Sequence, residues 1–167
     1  MGDMVKKWKI APFLDKGTAL APDWVRIKKS TAFDLALNPE TQDFDYIADE
    51  SPTTELMKYK PSLNQALTMY KGEPDYEMIF NHFYNLHVGS DAKSKILIVF
   101  FQESTEVEGT EYYKAWKSDC VISINDLNSV DSTITFDALF GGTVDKGYIT
   151  IEDGKPVFTS GGIPAGE

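Results

Sequence analysis

The sequence predicts a mainly β fold: a β-sandwich or barrel of about eight strands with one flanking α-helix. Three observations carry this. Many short segments alternate apolar and polar residues with a period of two, or run as β-branched stretches. Only the segment 74–89 has helical spacing. The strand segments follow one another with no helices between most of them, which excludes a βαβ series.

Taken in order, the chain begins "MGDMVKKWKIAPFLDKGTALA". Lys6, Lys7 and Lys9 precede apolar residues, as in an export signal, but Asp15 and Lys16 interrupt the apolar part too early for one. Residues 1–20 therefore read as a basic N-terminal arm. "TAFDLAL" places Phe33, Leu35 and Leu37 on one face of a strand and Asp34 on the other. "NPETQ" reads as a turn, and the chain returns as "DFDYIA". The expectation is a hairpin whose outer face carries Asp43 and Asp45, with Asp34 across from them.

Residues 48–62, "ADESPTTELMKYKPS", follow as a polar excursion holding Pro52 and Pro61. They show neither helical periodicity nor a clean strand, and a long structureless loop in a small domain calls for a function. "LNQALTMY" alternates again, and "KILIVFFQ" reads as a central strand buried on both faces. "YYKAWKSDCVISI", "STITFDALF" and "KGYITIE" are three further strands, with "FGGTVDKG" as the turn joining the last two. Asp153 and Gly154 then suit a two-residue hairpin turn into "KPVFTS". The helix is "PDYEMIFNHFYNLHVG", where Tyr76, Ile79, Phe80, Phe83 and Leu86 share a stripe. Pro74 suits its first turn, Asp75 and Glu77 its positive end, and Gly89 is a stop.

With 167 residues, 42% of them hydrophobic, one domain spanning 1–167 is expected. A chain of that length buries roughly 70% of its unfolded surface and needs no staple. The last stretch, "SGGIPAGE" at 160–167, has the composition of a flexible tail. The net charge of −10 argues against gripping a nucleic acid duplex, whose affinity comes from cationic contacts. The charge is uneven. Residues 1–30 hold seven basic and three acidic side chains, whereas 31–57 hold seven acidic and none basic. That asymmetry suits self-association between a basic arm and an acidic surface, as well as ordinary solvated faces. The longest apolar run, "ILIVFF", is too short to cross a membrane, and no membrane partner is expected.

The search for chemistry is nearly empty. Cys120 reads as a small apolar residue in a strand. His82 and His87 are five apart, so they do not meet as an i, i+4 pair would, and a metal site is not expected. Asp43 and Asp45 on an open strand have no means of separating their pKa values for acid and base work. "FGGTVDKG" lacks the spacing of a phosphate loop, and no GxSxG is present. The expectation is a non-enzymatic protein without cofactor or metal.

The order of these elements resembles the major tail tube protein of long-tailed, siphovirus-like bacteriophages. The resemblance covers about residues 20–160 and rests most on "DYIADESPTTELMKYKPS" before a strand and on the closing "YITIEDGKPVF" hairpin. It implies a tail-tube-like fold and stacked hexameric rings forming a hollow virion tail tube, assembled in the bacterial host cytoplasm. DNA passes through such a tube without specific binding. The implied partners are further copies of the chain, a tail initiator or distal tail protein, a tape measure protein and a tail terminator. The excursion 48–62 then becomes an inter-subunit loop, in which Asp49, Glu50, Leu56, Met57 and Tyr59 contact a neighbour. Lys6, Lys7 and Lys9 become contacts of the N-terminal arm, and Asp34, Asp43 and Asp45 become candidates for an acidic, DNA-repelling lumen.

Two other readings stay open. One is the inner tube of a contractile injection device or tail-like bacteriocin. The other, of a different class, is a monomeric carbohydrate- or surface-binding β-sandwich, with Trp8, Trp24 and Trp116 supplying aromatic surface. A hydrolase follows, and requires a pocket with carboxylates of displaced pKa.

Overall fold

Strand β7 (Lys93–Val107) is the spine of the molecule, and its alternation explains the rest. Ile96 and Ile98 point into one hydrophobic cluster, Leu97 and Val99 into a second on the opposite face. All four are buried, and each such side chain contributes about 1.5–3 kcal/mol on leaving water. A strand buried on both sides must be covered on both sides, so the chain wraps around it.

The computed structural model describes residues 2–17 and 22–164. A 3₁₀ turn at Lys7–Lys9 leads into β1 (Ile10–Asp15) and β2 (Trp24–Arg26). Then come β3 (Ser30–Ala36), β4 (Pro39–Phe44), β5 (Thr53–Tyr59) and β6 (Ser62–Thr68). Helix α1 (Pro74–Tyr84) and a 3₁₀ turn at Gly89–Ala92 precede β7, and β8 (Thr110–Asn128), β9 (Thr133–Glu152) and β10 (Lys155–Ser160) complete the chain. Eight strands form one antiparallel sheet in the order β2-β1-β7-β8-β9-β6-β3, with β10 also on β9. Strands β4 and β5 form a separate two-stranded sheet. The mainly β architecture with one helix at its side is the one predicted.

Strand β9 serves both layers. Its first half, Thr133–Leu139, pairs with β6, and its second half, Gly147–Glu152, pairs with β10. Strand β8 pairs with β9 on both sides of a register shift at Lys117/Asp119, and a bulge adds twist there. "FGGTVDKG" is therefore not a turn between two strands. It lies within β9, where Gly142 at φ 72° supplies the bend.

Three other expectations differ from the structure. Residues 10–15 do not belong to an N-terminal arm: β1 pairs with β7 from Ile10 to Leu14 and buries Ala11, Phe13 and Leu14. Strand β3 does not pair with β4. It pairs with β6, and β4 pairs with β5. Helix α1 ends at Tyr84, so Leu86 falls outside its stripe and is 77% exposed. Residues 1 and 18–20 of the expected arm and 165–167 of the expected tail lie outside the described residues.

Helix α1 seats Ile79 in the first cluster, with Tyr76, Met78 and Phe83 packed against it. Its orientation is set by Asp75, which is buried. Its Oδ2 accepts from the Lys28 N–H at 2.9 Å and the Lys29 N–H at 3.3 Å, and Oδ1 accepts from the Tyr76 N–H at 2.8 Å. One carboxylate thus caps its own helix and holds the β2–β3 link against it.

Gly147 marks the tightest approach in the second cluster. A Cβ there would run into the Thr159 carbonyl oxygen and lie 2.8 Å from the Phe158 ring. Gly147→Ala is expected to lift β10 and destabilise the fold by about 1–3 kcal/mol, read as a lower urea midpoint.

Candidate assembly interface

Residues 30–68 form one long hairpin that outgrows the core. The β3/β6 ladder ends at Ala36 opposite Ser62, and the β4/β5 ladder begins at Pro39 opposite Tyr59. Between them the Lys60 N–H donates to the Leu37 carbonyl at 2.9 Å, so the pairing is continuous. Asn38 makes the kink. It sits at φ 47°, and its Nδ2 donates to the Lys60 carbonyl at 3.0 Å and to Ser62 Oγ at 3.1 Å. Asn tolerates this left-handed conformation because its short side chain bonds locally.

Beyond the kink the ribbon has no core beneath it. All seven residues of β5 are exposed, including Leu56, Met57 and Tyr59 at 49, 54 and 52%. Glu40 binds Lys60 at 2.9 Å and Lys58 at 3.3 Å. The Lys60 hydrogen bond, assisted by Lys58 against some desolvation, holds the Glu40 carboxyl below its ordinary range. Thr54 Oγ1 donates to Asp43 at 2.6 Å, and the Phe44 and Tyr46 rings stack at 5.7 Å. An isolated two-stranded hairpin is marginal in water, and both backbone edges of this one are open. The expectation of a structureless excursion at 48–62 is corrected here: Thr53–Tyr59 is a strand. The irregular part is the tip, where the Asp49 N–H donates to the Tyr46 carbonyl at 3.0 Å and Glu50 is exposed.

The three candidate lumen aspartates are separated. Asp34 stands opposite Asn64, not opposite Asp43 or Asp45. Asn64 Nδ2 donates to Asp137 at 2.7 Å, and Asn125 Nδ2 to the other Asp137 oxygen at 3.1 Å. A polar row thus crosses β3, β6, β9 and β8 on the face away from the first cluster. Asp43 lies on the ribbon, and Asp45 lies past the end of β4. Asp137 escaped the sequence reading although its signal was present: in "STITFDALF" it alternates with Ile134, Phe136 and Ala138, all of which are buried.

The basic residues flank Trp8. Lys7 and Lys9 lie in the 3₁₀ turn, and the Lys9 N–H donates to the Lys6 carbonyl at 3.0 Å. Lys9 Nζ lies 4.5 Å from the Trp8 ring, and Arg26 Nη2 donates to the Trp8 carbonyl at 3.2 Å.

His82 and His87, expected apart, are in contact: their Nδ1 atoms are 3.1 Å apart and the rings meet edge to face. The helix stops between them, and Leu86 at φ 50° folds the chain back. Spacing rules for a continuous helix could not anticipate that reversal. Cys120 is buried, and burial first, then Asp119, push its thiol up to about 12. It is an inert core residue.

No family model and no curated protein matches this chain. Solved structures do. One is a chain in the tail of an empty GTA particle refined with C6 symmetry (TM-score 0.54, 12% identity, 84% of this chain and 97% of that one). Another is the cap that terminates the tube of the anti-feeding prophage, AFP (0.51, 12%, 87% and 92%). A third is the sheath/tube terminator of PVC, an extracellular contractile injection system (0.50, 9%, 87% and 97%). The fold is shared with tail and tube-terminating subunits. At these identities the likeness is one of fold.

The histidine contact makes stability depend on pH. Burial, then the neighbouring His87, lower the His82 pKa below the ordinary histidine value of about 6.5. Between those values the unfolded chain binds more protons, so this contribution is complete above about pH 6.5 and is lost as pH falls toward the folded value. The urea midpoint is expected to drop on acidification from about pH 7.5 to 5.5, and to drop less in His82→Asn.

Proposed function

We propose that the chain is a structural subunit of a phage-like tail, assembling as stacked hexameric rings around a channel that conducts DNA. The observation that carries this is the β4/β5 ribbon: a two-stranded sheet with exposed apolar residues and two open edges, held out on a continuous ladder. Such a ribbon gains stability only against another chain. The fold shared with tail and tube-terminating subunits supports the same reading.

Ring closure has a candidate in the main sheet. Among the described residues, strand β3 pairs only with β6, and the Ile122–Asn128 part of β8 pairs only with β9. The four strands β3, β6, β9 and β8 therefore end in two free edges. Joining β3 of one copy to β8 of the next is a head-to-tail contact, and repetition closes a ring. The face carrying Asp34, Asn64, Asp137 and Asn125 then lines the bore, where carboxylates repel phosphate and leave DNA free to slide. Asp43 and Asp45 travel with the ribbon and belong to stacking. In this reading Asp49, Glu50, Leu56, Met57 and Tyr59 meet a neighbouring subunit, as do Lys6, Lys7 and Lys9. The role is structural and not catalytic, and its place is the tail of the particle. Its other partners are an initiator, a tape measure protein and a terminator.

A second reading, the terminal ring of a tube, is favoured by the likeness to the two tube terminators. Negative-stain microscopy of concentrated protein separates the two. Long hollow filaments identify a tube subunit, and single rings that do not stack identify a terminator. A contractile origin is compatible with either outcome.

Joining Asn38 to Lys60 through Asn-Gly in place of residues 39–59 removes the ribbon while keeping the ladder end. The variant is expected to keep the thermal midpoint of the unassembled chain to within a few degrees and to form no stacked polymer. Filaments of normal length from it would count against the ribbon as the stacking element.

A further inference from the structure

The fold contains a cleft of about 730 Å³ between the Lys7–Lys9 turn and the β2–β3 link. Trp8, 58% exposed, and Phe33, 39% exposed, give it apolar walls. Lys7, Arg26 and Lys28 also line it, and no acidic residue does. Gln65 forms part of the same lining. It is 1% exposed, sits between Leu63 and Leu67 on the inward face of β6, and neither its Oε1 nor its Nε2 has a hydrogen-bond partner among the described residues. A buried amide with an unused donor and an unused acceptor is costly, and a peptide group supplies one of each.

The chain carries a segment of matching chemistry. At the ribbon tip Ile47 is fully exposed and Tyr46 is 56% exposed. Asp45, Asp49 and Glu50 flank them, and there is no basic residue anywhere in 31–57. The cleft lies at the start of β3 and the tip lies beyond the end of β4. At about 3.3 Å per residue these are on the order of 40 Å apart along the hairpin. A tip cannot reach its own cleft without unzipping the ladder that carries it, so the occupant comes from another copy.

We propose that this cleft is the seat of the ribbon tip, Asp45–Glu50, of a second copy of the chain. Tyr46 and Ile47 enter between Trp8 and Phe33, the tip carboxylates meet Lys7, Arg26 and Lys28, and the tip backbone satisfies Gln65. The contact is heterologous, because the cleft and the tip are different surfaces of one subunit; made between successive rings, where the operation does not close, it repeats along the stack. It rests on the polymer proposed above and gives the ribbon a specific address.

Cysteine pairing tests the address. Cys120 is buried and does not compete for oxidant. Thr31 also lines the cleft. In polymer formed from Ile47→Cys/Thr31→Cys, mild oxidation is expected to give a ladder of covalent multimers on a non-reducing gel, absent from either single variant. Intact polymer with no ladder overturns the seat and leaves the tail reading standing. Failure of the unmodified chain to form rings or filaments at any concentration overturns both. A second measurement does not depend on cysteine geometry. Gln65→Met is expected to raise the thermal midpoint of the unassembled chain while reducing polymer yield severalfold. A variant that is more stable and assembles as well as the parent shows that Gln65 does not serve the contact, and overturns the proposal.

Discussion

Unpaired backbone is the constraint on which this structure turns. A β-strand satisfies its inward peptide groups through its neighbours, and every sheet ends in strands that have only one. Here the ends are not blunted. Strand β3 carries a seven-residue open edge, the last part of β8 is open, and the β4/β5 ribbon is open on both sides. The core does not extend under the ribbon, so no interior burial accounts for its seven-residue strand β5. Ladder continuity does. Because the Lys60 N–H reaches the Leu37 carbonyl across the kink, the ordered β3/β6 pair templates the exposed pair beyond it. The core thus presents in extended form a segment that could not hold that form alone.

Legibility of the sequence followed burial. Where one face of a strand packs and the other does not, alternation is clean, and β3, β6 and β9 were readable from it. Where both faces pack, as in "ILIVFF", the continuous run was equally informative. The unread elements lack that contrast. Strand β5 packs on neither face and therefore has no periodicity to find. Strand β4 begins at a proline that normally marks a turn, and it is tolerated because this is an edge. Strand β1 was hidden by its lysine-rich approach. The His82–His87 contact depends on one left-handed residue, Leu86, and a single φ angle leaves no mark on composition.

Charge reads differently once the chain is folded. Along the sequence Asp34, Asp43 and Asp45 look like one acidic surface. The register splits them between a sheet face, a ribbon and a tip, and it recruits Asp137 to the first through Asn64. Both Asp137 oxygens accept from asparagine amides and Asp34 is exposed, so the sheet face is polar without being a compact anionic cluster. A cluster with several converging carboxylates would hold a cation. A row spread across four strands presents a diffuse negative field, as the proposed channel wall requires.

Two of the three buried polar side chains among the described residues, Asp75 and Gln65, contrast in how they are satisfied. They are exposed by 2% and 1%, respectively. Asp75 finds three backbone N–H donors within its own chain, and its business is finished when the helix docks. Gln65 finds none among the described residues, although the Ser30 and Thr31 hydroxyls of the adjacent strand β3 donate to the Ala32 and Ala66 carbonyls. A monomer selected only for stability would carry an apolar residue between Leu63 and Leu67, since an amide without partners costs more than the methylenes it replaces. The proposed seat accounts for the amide, because its partner there arrives from outside the chain. On that argument the folded chain is an unfinished object. In the proposed polymer its hydrogen bonds, like its sheet edges, are completed by another copy.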